Sequence, residues 1–325
     1  MLGSSRYAAI ETVLLLSLLT AVGVSQTLSR EAPSPAHPAK IIIDTDIGDD
    51  IDDAFAVALA LRSPELEVVG IASTFGDTET RAKLLDRLLG EAGRSDIPVA
   101  TGTPNPKIQT SLSQRRYAEG GHFTRASHPP AVDFTLDRIR RFPGEITLVA
   151  IGPLVNLGAL VDKDPETFRK LRRVVLMGGS IYKGYGDLGY FPARGPDPEW
   201  NIKNDPASAR KLLASGVPVY MMPLDSTQLK MDEIKRGLVF QAATPLTNAL
   251  ASLYYQWGQE TPTLFDPMTI AFIDDPQLCP VTPMHITIDD NGMTRPTKGA
   301  PNAEVCLDSD SDAFFRFYIP RVAAR

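Results

Sequence analysis

Residues 40–61 read KIIIDTDIGDDIDDAFAVALAL, and this stretch decides the fold. Ile41, Ile42 and Ile43 form a β-branched run that reads as a buried strand. Residues 54–61, rich in Ala and Leu and free of Gly and Pro, read as a helix packed on that strand. Between them stand Asp44, Asp46, Asp49, Asp50, Asp52 and Asp53, with Gly48 to allow a sharp turn. The carboxylates therefore gather at the C-terminal end of a strand, where open α/β sheets place their ligands. Helix capping by Asp52 or Asp53 and a solvated Asp49 are the ordinary expectations here. They account for two or three of the six. Carboxylates held this close raise one another's pKa unless a cation neutralises them. A hard, oxygen-binding cation is the economical solution, with Ca²⁺ ahead of Mg²⁺ because its coordination is larger and looser. Zinc is disfavoured, since no His or Cys lies nearby.

Outward from this unit, residues 67–73, 97–101, 146–151, 174–177 and 217–222 read as strands. Residues 82–89 read as an amphipathic helix with Leu84, Leu85, Leu88 and Leu89 on its apolar stripe. The alternation predicts an α/β fold: an open, mostly parallel sheet with helices on both faces. Residues 102–134 read as one long irregular stretch.

The 325 residues, 43% of them hydrophobic, suffice for a full core. A formal charge of −6 and the lack of any basic run argue against a nucleic-acid partner. Residues 1–26 read as a signal peptide: Arg6, an apolar run over 13–24, and small residues at Gly23 and Ser25. An uncleaved anchor is the alternative. Residues 27–39, with Pro33, Pro35 and Pro38, read as a flexible leader to a catalytic domain spanning 40–325. The mature protein is then secreted or periplasmic, with no stable membrane association. Export permits a disulfide between Cys279 and Cys306.

An EF-hand loop starting at Asp44 fails, because its sixth and twelfth positions are Asp49 and Phe55 rather than Gly and Glu. A phosphoryl-transfer reading of Asp44-Thr45-Asp46 would look like the haloacid dehalogenase family, but the expected hydroxyl residue is Gly48. The stretch resembles instead the metal-binding signature of the nucleoside hydrolase family, D-x-D-x-G-x-D-D-A after a strand. Here it reads D-T-D-I-G-D-D-I-D-D-A, two residues longer. Asp52 and Asp53 are aligned with the terminal pair, and Asp50 remains an alternative ligand.

The resemblance extends along the mature chain. It implies metal ligation by Asp46, Asp53, Asp266 and the Ile151 carbonyl, with Asp46 also the general base. It places Met177 against the sugar, Glu199 and Asn201 on the ribose 5′-hydroxyl side, and Asp52 and Asp77 among the substrate contacts. Several family members carry a His before the last metal-binding Asp; here that residue is Phe265, which the resemblance assigns to stacking on a base, with a purine leaning. Tyr185, Trp200 and Trp257 are candidates for a second aromatic wall. His122, in the long loop, is the one histidine kept as a site candidate.

The activity implied by the resemblance is Ca²⁺-dependent hydrolysis of the N-glycosidic bond of a nucleoside, in a homodimer or a homotetramer. Two other readings fit the same residues: a ribose- or nucleoside-binding protein without turnover, and a hydrolase of another N-ribosyl compound. Serine-hydrolase, zinc-protease and P-loop motifs are absent from the sequence, and no G-x-G-x-x-G follows directly on a strand.

Overall fold

In the computed structural model, residues 38–105, 108, 112–119, 122–186 and 195–324 are described. The expected signal peptide and the leader through residue 37 lie outside them. The β-branched run becomes β1 (Ala39–Thr45), with Ile41, Ile42 and Ile43 all fully buried. It pairs in parallel with β2 (Leu66–Ser73) on one side and β4 (Thr147–Ala150) on the other. Beyond β2 lies β3 (Val99–Thr101), and beyond β4 lie β5 (Arg173–Met177) and β6 (Val219–Met222). Two further strands, Ala303–Cys306 and Val281–Met284, complete an eight-stranded sheet whose only antiparallel pairing is the last.

Alternating side chains of β1 serve two cores. Ile41 and Ile43 pack beneath α1 (Asp52–Leu61), α2 (Thr78–Glu91) and the helices Pro267–Asp274 and Ser311–Val322. Ile42 faces a second core built on the helices Ala131–Arg141, Val155–Lys163 and Pro206–Ala214. Sheet residues buried on both faces are what a parallel sheet requires. Nearly all of α1 is buried, the pattern of a helix enclosed on every side.

The region expected to be one irregular stretch is more ordered. It holds a short helix, Arg115–Glu119, and the helix Ala131–Arg141 begins three residues before the expected limit. The apolar stripe of that second helix (Ala131, Phe134, Thr135, Leu136, Ile139) has helical spacing and was hidden by the prolines before it.

Cys279 and Cys306 form a disulfide, with Cα atoms 5.6 Å apart and both residues fully buried. It ties the turn after Pro267–Asp274 to the neighbouring sheet strand. Closing 27 residues of sequence is worth about 3 kcal/mol through the unfolded chain. Replacing both cysteines by serine is expected to lower Tm by roughly 6–12 °C, and to abolish the effect of a reductant on Tm. A melting scan with and without reductant checks both.

Candidate active site

Strand order reverses beside β1: β2 and β3 lie on one side, β4 to β6 on the other. This leaves a crevice at the C-terminal ends of β1 and β4, where an open α/β sheet receives ligands. A cavity of about 280 Å³ opens there. That is the scale of one small molecule rather than a polymer.

Its floor is acidic. Asp52, Asp53 and Asp266 are buried, and each offers an oxygen within 4.8 Å of the others. None of them caps a helix through its side chain. Ile51 occupies the N-cap of α1, so Asp52 and Asp53 do not cap it but stand in its first turn, where they complement the helix dipole, and Asp266 precedes Pro267–Asp274 without a side-chain cap bond. Instead the Asp266 N–H donates to Asp52 Oδ2 (3.3 Å), and the Thr45 hydroxyl donates to Asp53. Burial pushes all three carboxyls well above the usual range, and their neighbours' negative charge adds to the shift. Oxygens bound to one Ca²⁺ at its usual distances stand at most about 5 Å apart, so this all-oxygen set fits a hard cation.

Asp46 stands beside the three. Burial raises its carboxyl to about 6, and the Arg81 guanidinium pulls it down. Ile151 lines the same floor, its N–H bonded to the Asp44 carbonyl (2.8 Å). Gly152 follows because nothing larger fits: a Cβ there would lie 2.8 Å from both N and Oδ1 of Asp46.

The two additional residues of the acidic loop bulge away from the floor. Asp49, expected to be solvated, is half-buried, pairs with Arg81 (2.9 Å) and accepts the Leu112 N–H. Asp50 is exposed at the cavity rim; its carboxylate accepts the Ile51 N–H (2.7 Å), and its carbonyl accepts Gln114 Nε2 (2.8 Å). Asp52 and Asp53, not Asp50, thereby meet Asp266.

On the opposite wall Glu199 caps the helix Trp200–Asn204, accepting N–H groups of Asn201 (2.9 Å), Ile202 (3.1 Å) and Gly179 (2.9 Å). Burial holds its carboxyl up at about 7 despite those bonds. Asn201 Nδ2 donates to the Met177 carbonyl (3.1 Å), which joins the cap to the end of β5. At the mouth, Phe265 and Tyr185 meet edge to face with ring centres 6.0 Å apart, and Trp200 is 46% exposed. Trp257 is not part of this wall: it is buried in the core against Tyr254.

Two expected contacts lie elsewhere. Asp77 does not line the cavity; it caps α2 through the Thr80 N–H (3.1 Å) and pairs with Arg115 (2.8 Å). His122 is exposed and follows the other end of α2, where the adjacent Phe123 ring covers Gly90. Gly90 is nine residues along that helix from Arg81, about 14 Å at the helical rise. Sequence reading passed over Arg81 itself. The signal was there: it falls on the same stripe as Leu84, Leu85 and Leu88, where a charge needs a buried partner.

An acid whose folded pKa is raised stabilises the fold fully below its unfolded pKa, near 4, and this contribution fades as pH rises through the folded value. For Asp46 and Asp44 those values are about 6 and about 7, both driven by burial. Metal-free protein is therefore expected to lose stability between about pH 4 and pH 7. Adding Ca²⁺ should raise Tm more at pH 8 than at pH 5, and an equal gain at both would remove the acidic floor as the binding place.

The family model described as "Inosine-uridine preferring nucleoside hydrolase" matches residues 41–316. A pyrimidine-specific ribonucleoside hydrolase, RihA, of Citrobacter koseri is 32% identical over 317 residues, 87% of this chain and 97% of the relative. Among solved structures, the plant nucleoside hydrolase PpNRh1 is 25% identical with a TM-score of 0.77, covering 89% of this chain and all of that one. A purine-preferring ribonucleoside hydrolase from Gardnerella vaginalis shares the fold at 24% identity and a TM-score of 0.76, covering 87% of this chain and 98% of its own. The chain belongs to the inosine–uridine preferring nucleoside hydrolase family and is a hydrolase acting on N-glycosyl compounds.

Proposed function

We propose that this hydrolase is Ca²⁺-dependent, is exported, and cleaves ribonucleosides with a leaning toward purine bases. The observation that carries the reading is one cavity with a cation-ready acidic floor and an aromatic mouth. Asp53, Asp266, Asp52 and the Ile151 carbonyl, with Asp46 beside them, are the groups that would hold the cation. When bound, Ca²⁺ supplies a positive charge that orients ribose hydroxyls and acidifies a water.

The chain's own residues do the rest. Asp46, ionised at neutral pH, takes a proton from the attacking water. The water oxygen bonds to the anomeric carbon as the C–N bond breaks, through an oxocarbenium-like transition state, and the base departs with the bonding pair. Glu199 and Asn201 fix the hydroxymethyl end of the sugar, and Met177 packs against it. Phe265, Tyr185 and Trp200 enclose the base. Stacking grows with ring area, which favours a bicyclic base. The pyrimidine-specific relative supports a second reading, in which the same rim takes uridine or cytidine. Export is supported by the character of residues 1–26 and by the Cys279–Cys306 disulfide.

Purified protein is expected to release ribose from inosine faster than from uridine, judged by kcat/KM. Chelation should stop release, and Ca²⁺ should restore it better than Zn²⁺. The opposite order of substrates would select the pyrimidine reading, and no release from either would favour a binding protein. Asp46→Asn should lower kcat about 10³-fold while keeping the fold, and metal-free protein at pH 7 should melt no lower than the unaltered protein, since the near-isosteric amide removes a buried charge. Phe265→Leu should lower kcat/KM for inosine about five- to tenfold, with a smaller loss for uridine. Equal losses on both would make Phe265 a packing residue.

A further inference from the structure

Arg81 is among the largest fully buried side chains of the described residues, with no part of it exposed. Its guanidinium reaches two loops, the acidic loop that lines the cavity and the loop after β2 that stands behind it. From the acidic loop it takes the carbonyls of Asp46 and Ile47 (3.0 Å to the latter) and the Asp49 carboxylate (2.9 Å). From the loop after β2 its Nε takes the Phe75 carbonyl (2.9 Å).

Phe75 is conformationally unusual. Its φ is +63°, left-handed backbone that a bulky residue adopts only when its surroundings impose it. The bond to Arg81 is part of that imposition. In this geometry the buried Phe75 ring supports the Trp200 indole edge to face, with centres 6.1 Å apart. Trp200 is the exposed aromatic of the cavity mouth and stands between Glu199 and Asn201 in the chain. One guanidinium thus holds the backbone of the metal-side loop and, through Phe75, the aromatic rim.

The geometry points to Arg81 as a positioning residue that sets the separation between the cation-binding floor and the base-binding rim. A neutral or single-headed side chain cannot bridge both loops, because the planar fork is what presents donors in several directions at once. The inference rests on the reading of this cavity as a ribonucleoside site, with ribose at the floor and base at the mouth. Its consequence is a division of effects. Arg81 reaches the floor directly and the rim through Phe75, whereas Phe75 acts only through Trp200, whose side chain also lowers the Asp46 carboxyl.

The test compares the unaltered protein with Arg81→Lys and Phe75→Leu. Ca²⁺ affinity is measured by calorimetry without substrate, ribose affinity by calorimetry with Ca²⁺, and kcat and KM with inosine. Arg81→Lys should weaken Ca²⁺ binding at least tenfold, the usual cost of losing a group that orients ligands, and raise the inosine KM as well. Phe75→Leu should raise the inosine KM about fivefold while weakening Ca²⁺ binding several-fold less than Arg81→Lys does. A folded Arg81→Lys protein with unaltered Ca²⁺ affinity would overturn the proposal. So would a Phe75→Leu protein that weakens Ca²⁺ as much as Arg81→Lys does, or one that leaves the inosine KM unchanged; the latter holds even where Arg81→Lys does not fold. Should the unaltered protein bind Ca²⁺ and ribose but release no ribose from inosine, the hydrolytic reading fails. The positioning role is then judged on the calorimetric affinities, inosine's replacing its KM.

Discussion

Repulsion among buried carboxylates is the constraint on which the rest of the structure depends. At 4.8 Å or less, each ionised pair among Asp52, Asp53 and Asp266 repels by about 3 kcal/mol or more at the effective dielectric of a protein site. Three such pairs rival the whole stability of an ordinary domain. The floor can exist only with protons on it or a cation in it. Protons suffice in acid; at neutral pH a divalent cation relieves all three repulsions together. The raised carboxyl pKa values and the fitness for a divalent cation are therefore one property, seen without and with the ion.

Holding such groups together requires a scaffold that repulsion cannot spread. Asp52 and Asp53 open a helix buried on nearly every side, so moving them means moving core. Asp266 arrives 214 residues after Asp52 and is fixed by its own N–H on the Asp52 carboxylate and by Pro267 at the start of the next helix. That helix packs directly on α1. Gly152 lets the end of β4 press against Asp46. The apolar cores on the two sides of the sheet thus supply the stability against which the acidic floor is maintained.

The fold was legible because β1 and α1 have unmistakable periods and their composition is unambiguous. Parallel strands buried on both faces read as continuous apolar runs, and five more such runs follow at βα spacing. The site was legible at strand ends for the same topological reason. What failed was chemistry that depends on long-range partners. Asp77 carries an N-cap signature as much as a ligand one, and Arg115, thirty-eight residues away, decides between them. His122 was retained on residue type alone, and type says nothing of place. Asp49 is charged and lies in a loop, yet a buried arginine from α2 claims it. The register of the lengthened loop needed the contacts of Leu112 and Gln114, which no local pattern announces.

Without a histidine before Asp266, departure of the base must be assisted otherwise, and the mouth shows how. Phe265 and Tyr185 offer an edge-to-face pair against which a planar ring can lie. Tyr185 is held in place by its hydroxyl, which accepts the Trp200 N–H (2.9 Å), and burial raises its pKa, so it remains protonated. The ring beside that hydroxyl can stabilise charge delocalised into the base. Trp200, nearly half exposed, leaves the outer edge of the rim open to water. The rim is thus open to solvent, whereas the acidic floor is buried. The cavity grades with depth, from a buried carboxylate floor where Asp46 stands to an edge that bulk water reaches. An aromatic residue at position 265 is compatible with turnover because the rim is both apolar in its walls and wet at its edge.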